Sequence, residues 1–167
     1  MKKPYPVRIE PLSPETLAAA SALNLAIFEN EPMDVDYPPL WFKASLDPQR
    51  YAKEYAQTKT KYVQYYVARG PLSEKVIGTV GLYVLTSDPN DVCWLGWFCV
   101  AEASRGKGIG SALLAFSIAQ ARTLGKKRLK LYTSDESGEA DAQRLYERYG
   151  FKIIKKEQTP GKKYTAI

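Results

Sequence analysis

Apolar and polar positions change period several times along the chain, and each change marks an element. Val7–Leu12 reads as a short extended strand. Ser13-Pro14-Glu15-Thr16 supplies an N-cap with proline at the first helical position, and the apolar residues from Leu17 onward predict an amphipathic helix to about Phe28. An acidic, proline-bearing loop, Glu29–Pro39, leads to a less regular second helix over Trp41–Thr58. Lys61–Arg69 and Lys75–Thr86 are rich in β-branched and aromatic residues, and the Gly70-Pro71 turn between them predicts a hairpin. Residues 92–100 are almost continuously apolar, as a strand covered on both faces requires. The spacing then turns helical, with Ile109, Ala112, Leu113, Phe116 and Ala119 on one stripe that stops at Gly125. Arg128–Thr133 alternates as a fifth strand, and Glu139–Tyr149 forms a helix ended by Gly150. Phe151–Lys156 reads as a sixth strand, and Pro160-Gly161 turns the chain into a last strand, Tyr164–Ile167.

Between the apolar strand and the helix from Ile109 lies Arg105-Gly106-Lys107-Gly108-Ile109-Gly110-Ser111, with three glycines in five positions. Glycine lets a backbone approach a ligand without a Cβ in the way. The N–H groups of a first helical turn and the positive end of the helix dipole favour an anion, and Arg105 and Lys107 add full charges. A Walker loop requires Ser or Thr after Lys107, where Gly108 stands. A dinucleotide fingerprint counted from Gly106 requires glycine where Ser111 stands. Neither reading holds.

The 167 residues suit a single domain, 1–167, with one core. The net charge of +6 is uneven: residues 101–167 hold 14 Lys and Arg against 7 Asp and Glu, and residues 1–100 hold 10 against 11. A basic half raises nucleic acid as a partner, but these cations are spread over helix ends, a helix face and the last strands rather than gathered in one patch. The reading is therefore no nucleic acid, and no run approaches the length of a membrane span. Cys93 and Cys99, an even number of residues apart on one strand, are expected to face the same way and to lie too far apart to bridge. With no disulfide framework and no Cys/His cluster, no metal is expected, and a cytoplasmic setting follows. The chain has no histidine, which removes the usual neutral-pH base.

Arg105, Gly108 and Gly110 occupy an R-x-x-G-x-G pattern that resembles the pyrophosphate-binding signature of the GNAT superfamily, the acyl-CoA-dependent N-acetyltransferases. A second segment, Ala142-Gln143-Arg144-Leu145-Tyr146-Glu147-Arg148-Tyr149-Gly150-Phe151, is similar to that family's A-x-x-L-Y-x-x-x-G-F stretch. The resemblance covers essentially the whole chain. It implies an α/β fold of three α/β/α layers on a mixed, mostly antiparallel sheet, and transfer of an acetyl group from acetyl-CoA to a primary amine of a small molecule, peptide or protein. The competing class is a non-catalytic acyl-CoA sensor on the same scaffold.

Carried over residue by residue, the resemblance places pantetheine along the main chain of Phe98, Cys99 and Val100, with the N–H after Phe98 as oxyanion donor. The pyrophosphate falls to Arg105, Gly106, Lys107, Gly108, Ile109, Gly110 and Ser111. Tyr146 matches the acid that protonates the departing thiolate, a task for which a phenol of pKa near ~10 is suited. Two positions depart from the pattern: Glu139 stands where many members have a cofactor-contacting Asn, and the central strand offers only Asp91 where some members carry a glutamate base. The acidic loop with Glu29, Glu31, Asp34 and Asp36 lies where the family shapes its acceptor channel, so Glu29 and Glu31 are candidates to draw a cationic amine. A solvated acidic loop is the alternative. The acceptor's identity and the oligomeric state, homodimer included, are not encoded in any motif.

Overall fold

The structure, a computed structural model, describes residues 5–29, 37–134, 137–158 and 165–166. The chain divides into two compact units, Met1–Leu129 and Lys130–Ile167. The first begins with β1 (Arg8–Pro11) and α1 (Pro14–Ile27), followed by α2 (Pro38–Leu46) and α3 (Ala52–Gln57). Then come β2 (Thr60–Arg69), β3 (Val76–Leu85), β4 (Val92–Val100), α4 (Ile109–Thr123) and β5 (Arg128–Lys130), which reaches the boundary. The five strands form one mixed sheet in the order β1-β2-β3-β4-β5, with antiparallel ladders from β1 through β4. The expected hairpin is β2–β3.

Alternation along the strands sends side chains to two helical layers. On one face Tyr65 meets Phe42 of α2 edge-to-face at 4.7 Å, within a core that includes Leu12, Ala20, Trp41, Val63 and Val67. On the other, the neighbouring Tyr66 meets Phe116 of α4 at 4.8 Å. The result is the three-layer α/β arrangement. Helix α1 starts as the sequence indicates, with Pro14 in the first turn and the Ser13 N–H donating to Thr16 Oγ1 at 2.9 Å. Its most buried stripe is not its leucines but Thr16, Ala20 and Asn24, small or polar residues that let the helix lie close to the sheet.

Three expectations in this unit need correction. The helix expected over Trp41–Thr58 is two helices, because Pro48 has no N–H and disfavours helical torsions at Asp47, which sits at φ −140°, ψ 74°. Asp47 Oδ1 instead accepts the Arg50 N–H (3.2 Å) and starts the next turn. The loop expected to run to Pro39 ends earlier, since Pro38 and Pro39 open α2, where a missing N–H costs nothing. The rest of that loop, residues 30–36, lies outside the described residues.

The third correction concerns the cysteines. Gly96 pairs with Gly81 and Cys99 with Thr79, so three steps along β4 match two along β3. β4 therefore carries a β-bulge at Trp97 and Phe98, and Trp97 sits at φ 38°, in the left-handed region. The extra residue reverses the alternation. Trp94, paired with Tyr83, shares a face with Cys99, and Cys93 faces the other way.

The second unit contains α5 (Ala140–Arg148) and a two-residue pairing of β6 (Glu157–Gln158) with β7 (Thr165–Ala166). α5 ends at Gly150, φ 85°, where the Gly150 N–H donates to Glu147 O (2.9 Å) and the Phe151 N–H to Tyr146 O (3.1 Å). Phe151–Lys156 is not a strand: among the described residues it pairs with nothing, and Ile153 and Ile154 are 54% and 77% exposed. A strand with neither ladder nor buried face has nothing to hold it. The fifth strand stops at Lys130 rather than Thr133: among the described residues, 131–133 join no ladder, and the Thr133 hydroxyl and the Ser134 N–H (2.8 Å) both donate to Glu139.

Packing on the α2 face is tight enough to test. A Cβ at Gly81 would overlap the ring of Tyr65, its partner across the ladder, which is buried against Phe42. Gly81→Ala therefore lowers stability by about 1–3 kcal/mol, which outweighs the ~0.5–1 kcal/mol that alanine gains over glycine in a strand. Urea unfolding followed by tryptophan fluorescence checks this; an unchanged or raised midpoint contradicts it.

Candidate active site

The basic glycine loop leaves β4 through a short 3-10 turn, Glu102–Ser104, and enters α4. Gly106 and Gly108 have φ 74° and 82°, and a Cβ on either would meet no atom within 4 Å. Their conformation thus answers to backbone torsion and leaves open space beside the loop. The first helical bond runs from the Ala112 N–H to Gly108 O (3.0 Å), so the N–H groups of Ile109, Gly110 and Ser111 point out of the helix start. α4 is 15 residues long, ample to present its positive end there. Arg105 and Lys107 are exposed; Arg105 Nε donates to Val100 O (3.2 Å) and Lys107 Nζ to Ala103 O (3.2 Å), which folds both cations over the loop. Ile109 is fully buried and anchors the helix start.

Upstream, Phe98 and Val100 are half-buried and Cys99 is buried. β5 is three residues long and lies beside the start of β4, where the Lys127 and Arg128 N–H groups donate to Asp91 O (2.9 and 3.0 Å). The second half of β4 extends past it. The Ala101 N–H donates to Ile77 O (2.8 Å). By alternation the Cys99 N–H also turns toward β3, which competes with its nominated role as oxyanion donor. The bulge itself is clasped from the α1 face: Thr79 Oγ1 donates to Trp97 O (2.9 Å), accepts from Asn24 Nδ2 (2.9 Å) and lies 3.3 Å from Cys99 Sγ. The motif reading missed Thr79, Asn24 and the bulge. The available signal was a polar residue set in each of two apolar runs, Val76–Leu85 and Leu17–Ile27.

In the second unit Tyr146 is buried at 8% exposure, and its ring lies 5.8 Å from Phe151, the apolar contact that accompanies such a helix end. Burial first, and the Glu139 charge second, push its phenol well above the usual range, so it stays protonated at any ordinary pH. Glu139 itself is committed: besides Thr133 and Ser134 N it accepts from Ser134 Oγ (2.9 Å). Asp91 is held below the ordinary carboxylate range by hydrogen bonds from Arg128, at 3.1 and 2.8 Å, which makes it a poor base at neutral pH. Glu29 is exposed just past α1, and Glu31, Asp34 and Asp36 lie outside the described residues. Among the described residues no group of three metal-ligating side chains occurs, and no helix is long and apolar enough to cross a membrane. A shallow cleft of ≈290 Å³ lined by Leu17, Lys43, Leu46, Asp47, Arg50 and Tyr51 involves none of the nominated residues.

Comparison with known proteins bears on the family and the fold. The sequence profile of the Acetyltransferase (GNAT) family matches residues 29–151, most of the chain, including both motifs. The chain belongs to the GNAT family. Within it, this GNAT chain is 39% identical over 80 residues to the uncharacterized N-acetyltransferase YjgM of Escherichia coli K12, a match over 48% of this chain and 47% of that protein. It therefore spans about half the length of that curated relative. An N-acetyltransferase from Staphylococcus aureus Mu50 shares the fold at TM-score 0.68 and 20% identity, over 96% of this chain and 95% of its own. The IAA acetyltransferase of Bacillus cereus ATCC 14579 superposes at TM-score 0.60 with 25% identity, over 91% and 81% of the two chains.

The thiols of this GNAT domain provide a check on the site. Burial pushes Cys93 and Cys99 up to about 11, and no histidine exists to activate either. At pH 8 about one in a thousand of each is thiolate. Iodoacetamide followed by mass spectrometry should find both unmodified in the native protein and both alkylated in denaturant. Native alkylation of Cys99 at the rate of a free cysteine would show the bulge to be open.

Proposed function

We propose that this chain transfers an acetyl group from acetyl-CoA to the amine of a small molecule or peptide. The observation that carries the reading is the loop at the head of α4: two left-handed glycines with open space beside them, outward N–H groups and two flanking cations. That donor set suits a pyrophosphate better than any uncharged ligand. Acetyl-CoA would supply the thioester. The main chain of Phe98–Val100 then holds pantetheine by strand-like hydrogen bonds, and Arg105–Ser111 holds the phosphates. The backbone at the bulge provides dipoles where negative charge develops on the acyl oxygen. Tyr146 keeps its proton because it is buried, and gives it to the departing thiolate. Glu29 and Glu31 draw the cationic amine toward the protein.

Consumption of acetyl-CoA across panels of polyamines, amino acids, aminoglycosides and peptides tests the reading directly. Binding tests its carrier. Asp adopts left-handed torsions more readily than most residues, so Gly108→Asp should cost about 1–2 kcal/mol in strain and leave the domain folded. Its carboxylate stands where the pyrophosphate should lie. Acetyl-CoA affinity by calorimetry should fall more than about tenfold, the scale of one like charge at close range, while acetyl-pantetheine binding changes little. Unaltered acetyl-CoA affinity in this folded variant would refute the phosphate loop.

Tyr146→Phe separates catalysis from packing, since the ring contact with Phe151 survives. Turnover should drop by roughly 10²-fold, with the KM for acetyl-CoA little changed, because the lost interaction belongs to the transition state. The deficit should shrink with an acyl donor of more acidic thiol. Wild-type turnover in a chemistry-limited assay would return Tyr146 to a purely packing role.

A further inference from the structure

The β4 bulge is locked by a buried hydrogen-bond relay whose direction is forced. Thr79 is 1% exposed and Asn24 0%. An amide Nδ2 only donates, so Thr79 Oγ1 accepts from Asn24 and spends its single proton on Trp97 O. With that proton spent, the 3.3 Å contact to Cys99 Sγ has the thiol as donor, consistent with a thiol that burial keeps protonated. Asn24 Nδ2 is anchored in turn on Ala20 O (3.0 Å), one turn back in α1. One arrangement satisfies Thr79 Oγ1, the Trp97 carbonyl and Asn24 Nδ2 together. Asn24 Oδ1 remains buried without a hydrogen-bond partner, a cost that an apolar residue at this position would not carry.

What the relay holds is unusual backbone. Trp97, a bulky residue, sits at φ 38°, where side chain and carbonyl crowd each other. Such strain persists only when its surroundings over-determine it, and it concentrates at functional sites. The trans peptide is planar, so the Trp97 carbonyl and the Phe98 N–H of the same unit point in opposite directions. Fixing the carbonyl toward Thr79 on the α1 face aims that N–H away from the α1 face.

We infer that Thr79, oriented by Asn24, is a positioning residue for acyl transfer: it clamps the Trp97 carbonyl and so fixes the peptide plane against which the reacting acyl group lies. The inference rests on the acetyl-CoA reading above. It goes further by assigning the geometry of the reacting backbone to two side chains that touch neither substrate.

Thr79→Val keeps the shape and removes the hydroxyl, and Thr79→Ser keeps the hydroxyl. In the full chain the Val variant should lose about 10²-fold in kcat, the scale of a misplaced reacting dipole. Its acetyl-CoA Kd should stay within about threefold, since ground-state binding is spread over the phosphate loop. The Ser variant should recover most of the rate. A second readout needs no ligand: in ¹⁵N-labelled protein the Phe98 and Cys99 amide resonances should move in Thr79→Val and return in Thr79→Ser. If Thr79→Val does not fold, Asn24→Leu, which removes the orienting donor, should move the same resonances and lower kcat with Kd preserved. Wild-type kcat in Thr79→Val, or unmoved Phe98 and Cys99 resonances, overturns the clamp. Failure of the wild type to bind acetyl-CoA overturns the reading beneath it instead, and the ligand-free resonances still decide whether the clamp exists.

Discussion

β4 carries one residue more than β3 can pair, and much of the first unit is arranged around that surplus. Between Gly96 and Cys99 the two strands fall out of step, Trp97 is driven to φ 38°, and its carbonyl leaves the ladder. A buried carbonyl without a donor is costly, on the order of 1–3 kcal/mol, so something on the α1 face must supply a proton. Thr79 does. A threonine there needs its own lone pairs addressed, and Asn24 answers from α1. That in turn explains why α1 presses an asparagine on the sheet at position 24. One irregularity in a strand thus dictates a polar residue on a neighbouring strand and another on a helix face.

Glycines with positive φ occur at both kinds of helix end, and the contrast between them sets the loop before α4 apart. At Gly125 and Gly150 the left-handed turn has a complete structural account: the Lys126 N–H returns to Ala121 O (2.9 Å) and the Phe151 N–H to Tyr146 O (3.1 Å), satisfying carbonyls that the helix leaves over. Gly106 and Gly108 stand before a helix, where donors rather than acceptors are left over. The cations beside them donate to carbonyls at the end of β4 and in the turn after it, which pre-places positive charge without neutralising it. The same residue type closes a helix in two places and, in the third, opens one beside two cations.

How much of this was legible in the sequence depended on whether a pattern carried phase. Helices α1, α4 and α5 and the β2–β3 hairpin were readable because polar residues punctuate them. β4 was readable as a strand, yet its bulge was not: in a run as apolar as Val92–Val100 a slip of one residue leaves no trace in polarity. The expectation that Cys93 and Cys99 share a face failed for that reason alone. The break at Asp47-Pro48 was present in the sequence as a proline, and helical periodicity on either side concealed it. Phe151–Lys156 shows the opposite error, β-branched propensity without a partner strand. At the candidate site, the glycine loop and Tyr146 could be nominated because they sit in short contiguous motifs. Thr79 and Asn24 were not, because the contact joining them spans 55 residues of chain.

The absence of histidine shapes how the proposed chemistry can be run. Two protons must move: one must leave a cationic amine, and one must reach a thiolate. For the second, the chain offers a buried phenol held protonated by its surroundings. For the first, two carboxylates that the sequence singles out are already committed, Asp91 to Arg128 and Glu139 to the Thr133-Ser134 segment. Each is worth more to the fold as an acceptor than to the reaction as a base. The exposed carboxylate at Glu29 fits recruitment of a cation. On the proposed reading, an amine that arrives partly neutral needs no base from Asp91 or Glu139. In such an arrangement the burden on the protein shifts to holding the electrophile still. A strained peptide held by two buried side chains is built to bear that burden.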